Sequence, residues 1–250
     1  TPAVIAQRVV MAKAMSESWP VGWLDLTLAF LNAELPPGDR VIVRAPKVGW
    51  TLPGKFFWCM RALYGLRVAP RLFQEDFGGK LAKHGIRRCL IDPQMYYGPH
   101  GEMISAHVDD VLTTAPEEHY EALYNIFETE FRLKRGPTLG AKWEKYLGRM
   151  WRRPTMDKVE VQIPQAYMKK AMTELGLQKC KSVTTPSILA GVQGNDLQLD
   201  EAMHETYRRV VGMLIWTLQE RPDLSQSVTS CARACAQQTF ADLERLKRGC

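Results

Sequence analysis

Apolar positions along the chain change period several times, and each change marks an element. Helical spacing predicts a helix over residues 4–18, an apolar run predicts a strand over 21–26, and a short helix follows over 28–32. An irregular region contains a strand VIVRAP and the Pro/Gly punctuation of PKVGWTLPGK. A helix over 70–84, with proline in its first turn, comes next. Strands are predicted near 94–97 and 103–108, and after two adjacent aspartates a return strand runs to residue 114. In EEHYEALYNIFETEF the residues Tyr120, Leu123, Tyr124, Phe127 and Phe131 recur at helical spacing, and KYLGRMW then reads as a strand. The order strand, helix, hairpin, helix, strand is the split βαβ pattern of ferredoxin-like domains.

The hairpin poses a chemical question. In SAHVDDVLTT, Asp109 and Asp110 sit side by side between apolar segments, where each carboxylate repels the other and loses hydration. An Asp-Asp pair is also a common two-residue turn, because Asx side chains cap their own backbone. The first strand, however, reads VGWLDLTLAFLN, with Asp25 as its one acidic residue. The predicted topology puts that strand beside the hairpin and so predicts a three-carboxylate cluster. Hard divalent cations resolve such repulsion, and two Mg²⁺ ions roughly 4 Å apart are the device for in-line phosphoryl transfer.

Composition narrows the class without deciding it. The 250 residues are 46% hydrophobic, enough for one large or two modest cores. A net charge of +6 suits a polyanionic partner. The six cysteines form no CxxC pair and lie at zinc-ligand spacing from no histidine, so reduced thiols in an intracellular compartment are expected, with Cys231 and Cys235 sharing one helix face. No apolar run approaches the roughly 18 residues of a membrane span. Residues 187–201 read as a linker, and both chain ends are expected to be cut from something longer.

Five motifs in order, DLTLAFLNAEL, ALYGLRVAPRLF, HVDD, KYLG and ERPDLSQSV, resemble the reverse transcriptase of copia-type long-terminal-repeat retrotransposons, and the resemblance covers nearly the whole chain. It implies an α+β, right-hand polymerase core: a ferredoxin-like palm of antiparallel sheet plus helices, partial fingers, and a helical thumb or connection. Residues 1–150 would be partial fingers and palm, and 151–250 the thumb/connection region, ending before an RNase H domain. The implied activity is RNA-directed DNA synthesis from deoxynucleoside triphosphates on a primed RNA or DNA template, with two Mg²⁺ ions, or Mn²⁺ in their place. Integrase upstream and RNase H downstream would be partner domains of one Pol polyprotein, acting in a cytoplasmic virus-like particle or the nucleus.

The resemblance also assigns residues. Asp25 and Asp109 would be the main ligands of both metals, with Asp110 in support. Phe30 would sit under the nucleotide sugar and exclude a 2′-hydroxyl; its other reading is a core phenylalanine beside Leu31. Gly65 would allow close backbone approach, Ala69 and Pro70 would open a helix under template and nucleotide, and Tyr64 and Arg67 would touch them. Tyr146, Leu147 and Gly148 would belong to the primer grip. Lys134 matches weakly the lysine that protonates departing pyrophosphate, and a solvated lysine is its other reading. Lys169 and Lys170 would either track phosphates or lie on a solvated helix face, and Arg221 and Asp223 would do structural work.

Three departures stand out. His107 replaces the tyrosine usual before V-D-D, Ala33 replaces a glycine, and the basic fingers segment close to K-A-R-L-V-A-K-G is expected upstream of Thr1. Two other classes therefore stay open: a nucleic-acid-binding remnant without polymerase activity, and a metal-dependent nuclease, which would not need the LYGLRVAP segment.

Overall fold

The computed structural model describes residues 4–45, 55–181 and 197–249. Most of the expected linker, and the segment between VIVRA and Lys55, lie outside the described residues. In chain order the elements are α1 (Val4–Ser16), β1 (Val21–Leu26), β2 (Val41–Arg44), β3 (Phe56–Cys59), α2 (Ala69–Ala82), β4 (Arg87–Arg88), β5 (Met95–Tyr97), β6 (Met103–His107), β7 (Asp110–Thr114) and α3 (Glu117–Glu130). They continue with β8 (Leu133–Thr138), β9 (Glu144–Tyr146), β10 (Arg149–Thr155), β11 (Lys158–Gln162), α4 (Gln165–Glu174), α5 (Glu201–Thr217), α6 (Ser225–Arg233) and α7 (Phe240–Gly249). The expected short helix after β1 is a 3-10 turn, Ala29–Asn32. The fold is α+β, with two compact units: residues 1–147 with 151–160, and 148–150 with 161–250. The segment 151–160, assigned from the sequence to the C-terminal region, packs with the N-terminal unit.

In the first unit a six-stranded sheet has the order β4-β5-β6-β7-β1-β8. Its last four strands reproduce the split βαβ arrangement, but the closing strand differs from expectation. It is β8, LKRGPT, whereas KYLGRMW folds as the hairpin of β9 and β10 in a separate sheet ordered β11-β10-β9. Gly136 and Pro137 hide β8 from a periodicity search, and a proline is tolerated there because β8 is an edge strand.

Alternation along β1 splits its side chains between two cores. Leu24 and Leu26 face α2 and α3 in a cluster with Phe73, Phe77, Ile104, Val111, Tyr124 and Phe127. Val21 and Trp23 point the other way, into a cluster with Val10 and Met11 of α1, Leu112, Tyr146 and Trp151. A strand buried on both faces up to Leu24 therefore delivers Asp25 to an open end, where it is exposed. At Gly22 any side chain would run into the buried hydroxyls of Tyr120 and Tyr124, so the residue is fixed by close packing.

The second unit is helical, built around Tyr207, Val210, Val211, Leu214 and Leu246. Asp200 caps α5 by accepting the Met203 N–H at 2.8 Å. Arg149 packs here, its guanidinium 3.2 Å from the Trp216 ring centroid and its Nη2 donating to the Trp216 carbonyl at 2.7 Å. Helix α6 ends at Arg233, so Cys235 falls in the next 3-10 turn and does not share the helix of Cys231.

Candidate active site

Strand register builds the site. Asp25 pairs with Asp110 across β1 and β7, Asp110 pairs with His107 across β7 and β6, and Asp25 pairs with Lys134 across β1 and β8. Directly opposed residues of antiparallel strands share a face. A single row of polar side chains, His107, Asp110, Asp25 and Lys134, thus crosses four strands. The row before it on the same face, Ser105, Leu112 and Trp23, is buried.

Asp109 reaches this row through a strained turn. The β6–β7 loop is the two residues Val108 and Asp109, and Val108 has φ 57°. A positive φ at the first central residue is the signature of a II′ hairpin, a place for glycine. A β-branched residue there is an outlier whose strain is of order 1–3 kcal/mol. The end of β1 holds the turn closed, because the Leu26 N–H donates to the Asp109 carbonyl at 2.7 Å. Leu28, just beyond β1, is likewise left-handed with φ 54°. Sequence reading put both aspartates in the turn; the structure puts Asp109 in the turn and Asp110 at the start of β7.

The carboxylates sense one another. Burial pushes the Asp110 carboxyl above its ordinary pKa, and the charges of Asp109 and then Asp25 push it further, against a smaller opposing effect of His107. The Tyr64 hydroxyl is raised by burial first, then by Asp109 and Asp25, which locates it beside the same pair. Among the described residues, no three His, Cys, Asp or Glu side chains converge tightly enough as they stand to hold an ion. The donor set nevertheless fits hard cations: two carboxylates opposed in register, a third on the adjoining turn, and mutual repulsion that a bound cation would relieve.

The other assigned residues fall around this row or elsewhere. Phe30 lies in the 3-10 turn after β1, 8% exposed, with ring centroids 4.6 Å from Tyr64 and 5.9 Å from Phe73. Gly65 has φ 95°, Arg67 is exposed, and Pro70 is the second residue of α2. Segments 33–35 and 60–62 lie side by side, with Leu35 N–H donating to Met60 O at 2.9 Å and Ala62 N–H to Ala33 O at 3.0 Å. Leu147 and Gly148 connect β9 to β10 with φ 44° and 76°, the two positive values of a I′ turn. Tyr146 is buried against Trp23, ring centroids 5.6 Å apart. Burial, and after it Asp110, raises its hydroxyl pKa. Lys169 and Lys170 lie exposed on α4 in the helical unit, and Arg221 forms a two-pronged ion pair with Asp223.

Two features escaped sequence reading. Tyr146 OH and His107 Nδ1 are buried with no hydrogen-bond partner. The β8 edge also carries an open depression of about 520 Å³ lined by Thr27, Phe131, Leu133, the carboxylate Glu128 and three cations, Arg132, Lys134 and Arg135. The alternation of charge in FRLKRG was the available signal for the second feature, and without the β1–β8 register it could not be tied to Asp25.

Residues 3–189 match the family Reverse transcriptase (RNA-dependent DNA polymerase). The chain is 27% identical to the Retrovirus-related Pol polyprotein from transposon RE1 of Arabidopsis thaliana, over 96% of its own length and 16% of that protein. It is also 27% identical to the Putative transposon Ty5-1 protein of Saccharomyces cerevisiae, covering 90% of this chain and 73% of the other. The Retrovirus-related Pol polyprotein from transposon TNT 1-94 of Nicotiana tabacum is 25% identical over 90% of this chain and 18% of its own. Relative to the Arabidopsis and tobacco proteins, then, the chain spans less than a fifth of the length. With a family match over most of its residues and transposon proteins among its relatives, the chain belongs to the reverse transcriptase family.

Proposed function

We propose that this chain is the polymerase core of a retrotransposon Pol polyprotein, with the six-stranded sheet as palm, the β2–β3 region as part of the fingers, and the helical unit as thumb or connection. The observation that carries the reading is the register Asp25↔Asp110, with Asp109 tied to the end of β1 on the adjoining strained turn. Nucleotidyl transfer needs carboxylates at that place and spacing, whereas a binding module gains nothing from their repulsion.

Asp25, Asp109 and Asp110 would hold divalent cations, which when bound supply charge neutralisation and an acidified primer 3′-hydroxyl. The chain's own groups do the positioning. Phe30 closes the floor beside Tyr64 and excludes a 2′-hydroxyl by contact. Gly65, with its positive φ, lets template and nucleotide approach the backbone, and Arg67 and the start of α2 at Pro70 line that approach. Tyr146, Leu147 and Gly148 set the primer terminus through the tight β9–β10 turn. The substrates in this reading are deoxynucleoside triphosphates and a primed RNA or DNA template, and integrase and RNase H are companion domains of the polyprotein.

Primer extension by the 250-residue chain and by its parent polyprotein, on poly(rA) primed with oligo(dT) in Mg²⁺, tests this. Asp109→Asn is expected to lower synthesis by about 10³-fold or more, since charge stabilisation at the reacting phosphate is the main catalytic contribution. Its unfolding temperature should be unchanged. Near-full synthesis by the variant polyprotein would remove the carboxylates from the mechanism.

A further inference from the structure

Asp25 and Asp110 face each other in register, yet among the described residues the acidic side chains do not converge tightly enough as they stand to hold an ion. At least one carboxylate must turn when cations arrive, and something must hold it in the turned position. Ligand carboxylates are commonly fixed by an outer partner that hydrogen-bonds to them.

The sheet face behind the carboxylates offers such a partner. The row Met95, Ser105, Leu112 and Trp23 crosses β5, β6, β7 and β1, one step behind His107, Asp110 and Asp25 on the same face. Tyr146 of β9 lies against that row: its ring stacks on Trp23, centroids 5.6 Å and planes 24° apart, in one cluster with Leu112 and Met95. The Trp151 indole N–H donates to the Tyr146 carbonyl at 3.3 Å, and the left-handed turn of Leu147 and Gly148 follows at once. Backbone and ring are thus both pinned, and the hydroxyl is uncommitted.

Three buried polar atoms on this face have no hydrogen-bond partner among the described residues: Ser105 Oγ, His107 Nδ1 and Tyr146 Oη. Since all three are unpaired, none serves another. Tyr146 is only 3% exposed, and a phenylalanine would fill its space without leaving an oxygen buried and unpaired. A hydroxyl kept there at a cost to the empty protein points to an acceptor that comes within reach in another state. Successive rows on one face of a strand are about 7 Å apart, a distance that a tyrosine side chain spans. The row next to Trp23 and Leu112 contains Asp25 and Asp110. Of these two, Asp110 is the one the hydroxyl senses, because after burial its charge is what raises the Tyr146 pKa. That shift keeps the proton on the oxygen, so toward a carboxylate the group is a donor.

We infer that the Tyr146 hydroxyl is a positioning group for Asp110, donating a hydrogen bond to its carboxylate once cations occupy the site and fixing the rotamer in which Asp110 and Asp25 converge. This rests on the polymerase reading above. It is separate from the seat that the β9–β10 turn gives the primer terminus, which uses the turn and not the phenol oxygen.

Tyr146→Phe keeps the ring and deletes the oxygen. The affinity of the 250-residue chain for Mn²⁺ alone, read from the free-ion electron paramagnetic resonance signal without nucleic acid or nucleotide, is expected to fall by roughly 10-fold. Without metal the unfolding temperature should rise by roughly 2–4 °C, because an unpaired buried oxygen has gone. In primer extension by the parent polyprotein, kcat should fall by a similar factor while KM for primer–template stays the same. A hydroxyl with a merely structural bond gives the opposite pattern, a lower unfolding temperature with unchanged Mn²⁺ affinity, and that result overturns the inference. Unchanged Mn²⁺ affinity with a raised KM for primer–template overturns it too, since the hydroxyl then serves the primer. Asp109→Asn separates the inference from the reading beneath it. If wild type binds Mn²⁺ no better than Asp109→Asn, the carboxylate site fails and the positioning role with it; if wild type binds more tightly than Asp109→Asn and Tyr146→Phe matches wild type, the positioning role alone fails.

Discussion

At Phe30 two demands meet in one ring. It is 8% exposed and packed edge-on against Tyr64 and Phe73, so it belongs to the core, yet its exposed edge lies five residues from Asp25 beside the tyrosine that senses the carboxylates. Removing the ring empties core volume, and Phe30→Ala should cost about 3 kcal/mol, measured by chemical denaturation. If the exposed edge excludes a 2′-hydroxyl, the milder Phe30→Val should raise ribonucleotide use relative to deoxynucleotide by roughly 10- to 100-fold in single-nucleotide incorporation. A stability loss with no change in that ratio would leave Phe30 as core only. Asp25 was legible in the sequence because a lone acid in an apolar strand stands out. The carboxylate geometry was less so: one residue of offset decided that Val108, not Asp110, occupies the turn, and positive φ on a valine has no sequence signal.

Elements show the same division between what pattern reveals and what register adds. Helices α2 and α3 announce themselves by 3.6-residue spacing, and β1 by its apolar run; β8 does not, since edge position excuses its Gly-Pro from the usual rules. Contacts between elements were invisible until they were paired in space. His84, just past α2, lies 3.0 Å from Glu130 at the end of α3, with Lys83 at 3.9 Å. The His84 bond and then the lysine and histidine charges hold the Glu130 carboxyl below its ordinary pKa. A carboxyl depressed in the folded state stabilises above its unfolded pKa, and the benefit fades as pH falls through the folded value. Glu130→Gln should therefore lower the unfolding temperature at pH 7, with the difference from wild type shrinking below about pH 4. In the helical unit, Arg149 Nε lies 2.8 Å from Glu220 Oε2, both side chains buried, an ion pair by distance without hydrogen-bond angles. Arg149→Ala strands a buried carboxylate and should cost about 3–5 kcal/mol, whereas an Arg149→Met/Glu220→Leu double variant should recover most of it in denaturant titration.

For the molecule as a whole, the net charge of +6 sets how it meets a polyanion. Binding to a primed template should weaken steeply with salt. With about 4 phosphates neutralised, the logarithm of affinity is expected to fall with a slope near −3 to −4 against log salt. A flat salt response in anisotropy titrations would show that charge plays little part. Family membership was readable at this scale because five ordered motifs span the chain, while the place of residues 151–160 was not, since they join the first unit through packing alone. The sheet's borders carry one more consequence. Its outer strands are β4, only two residues long, and β8, where Pro137 lacks an N–H and Lys134 and Arg135 are exposed. Neither border offers another chain a row of free amides to zip onto. Copies of this chain crowded together can thus keep this sheet from seeding fibrils with one another, and that protection is built into the same strand that sets Lys134 opposite Asp25.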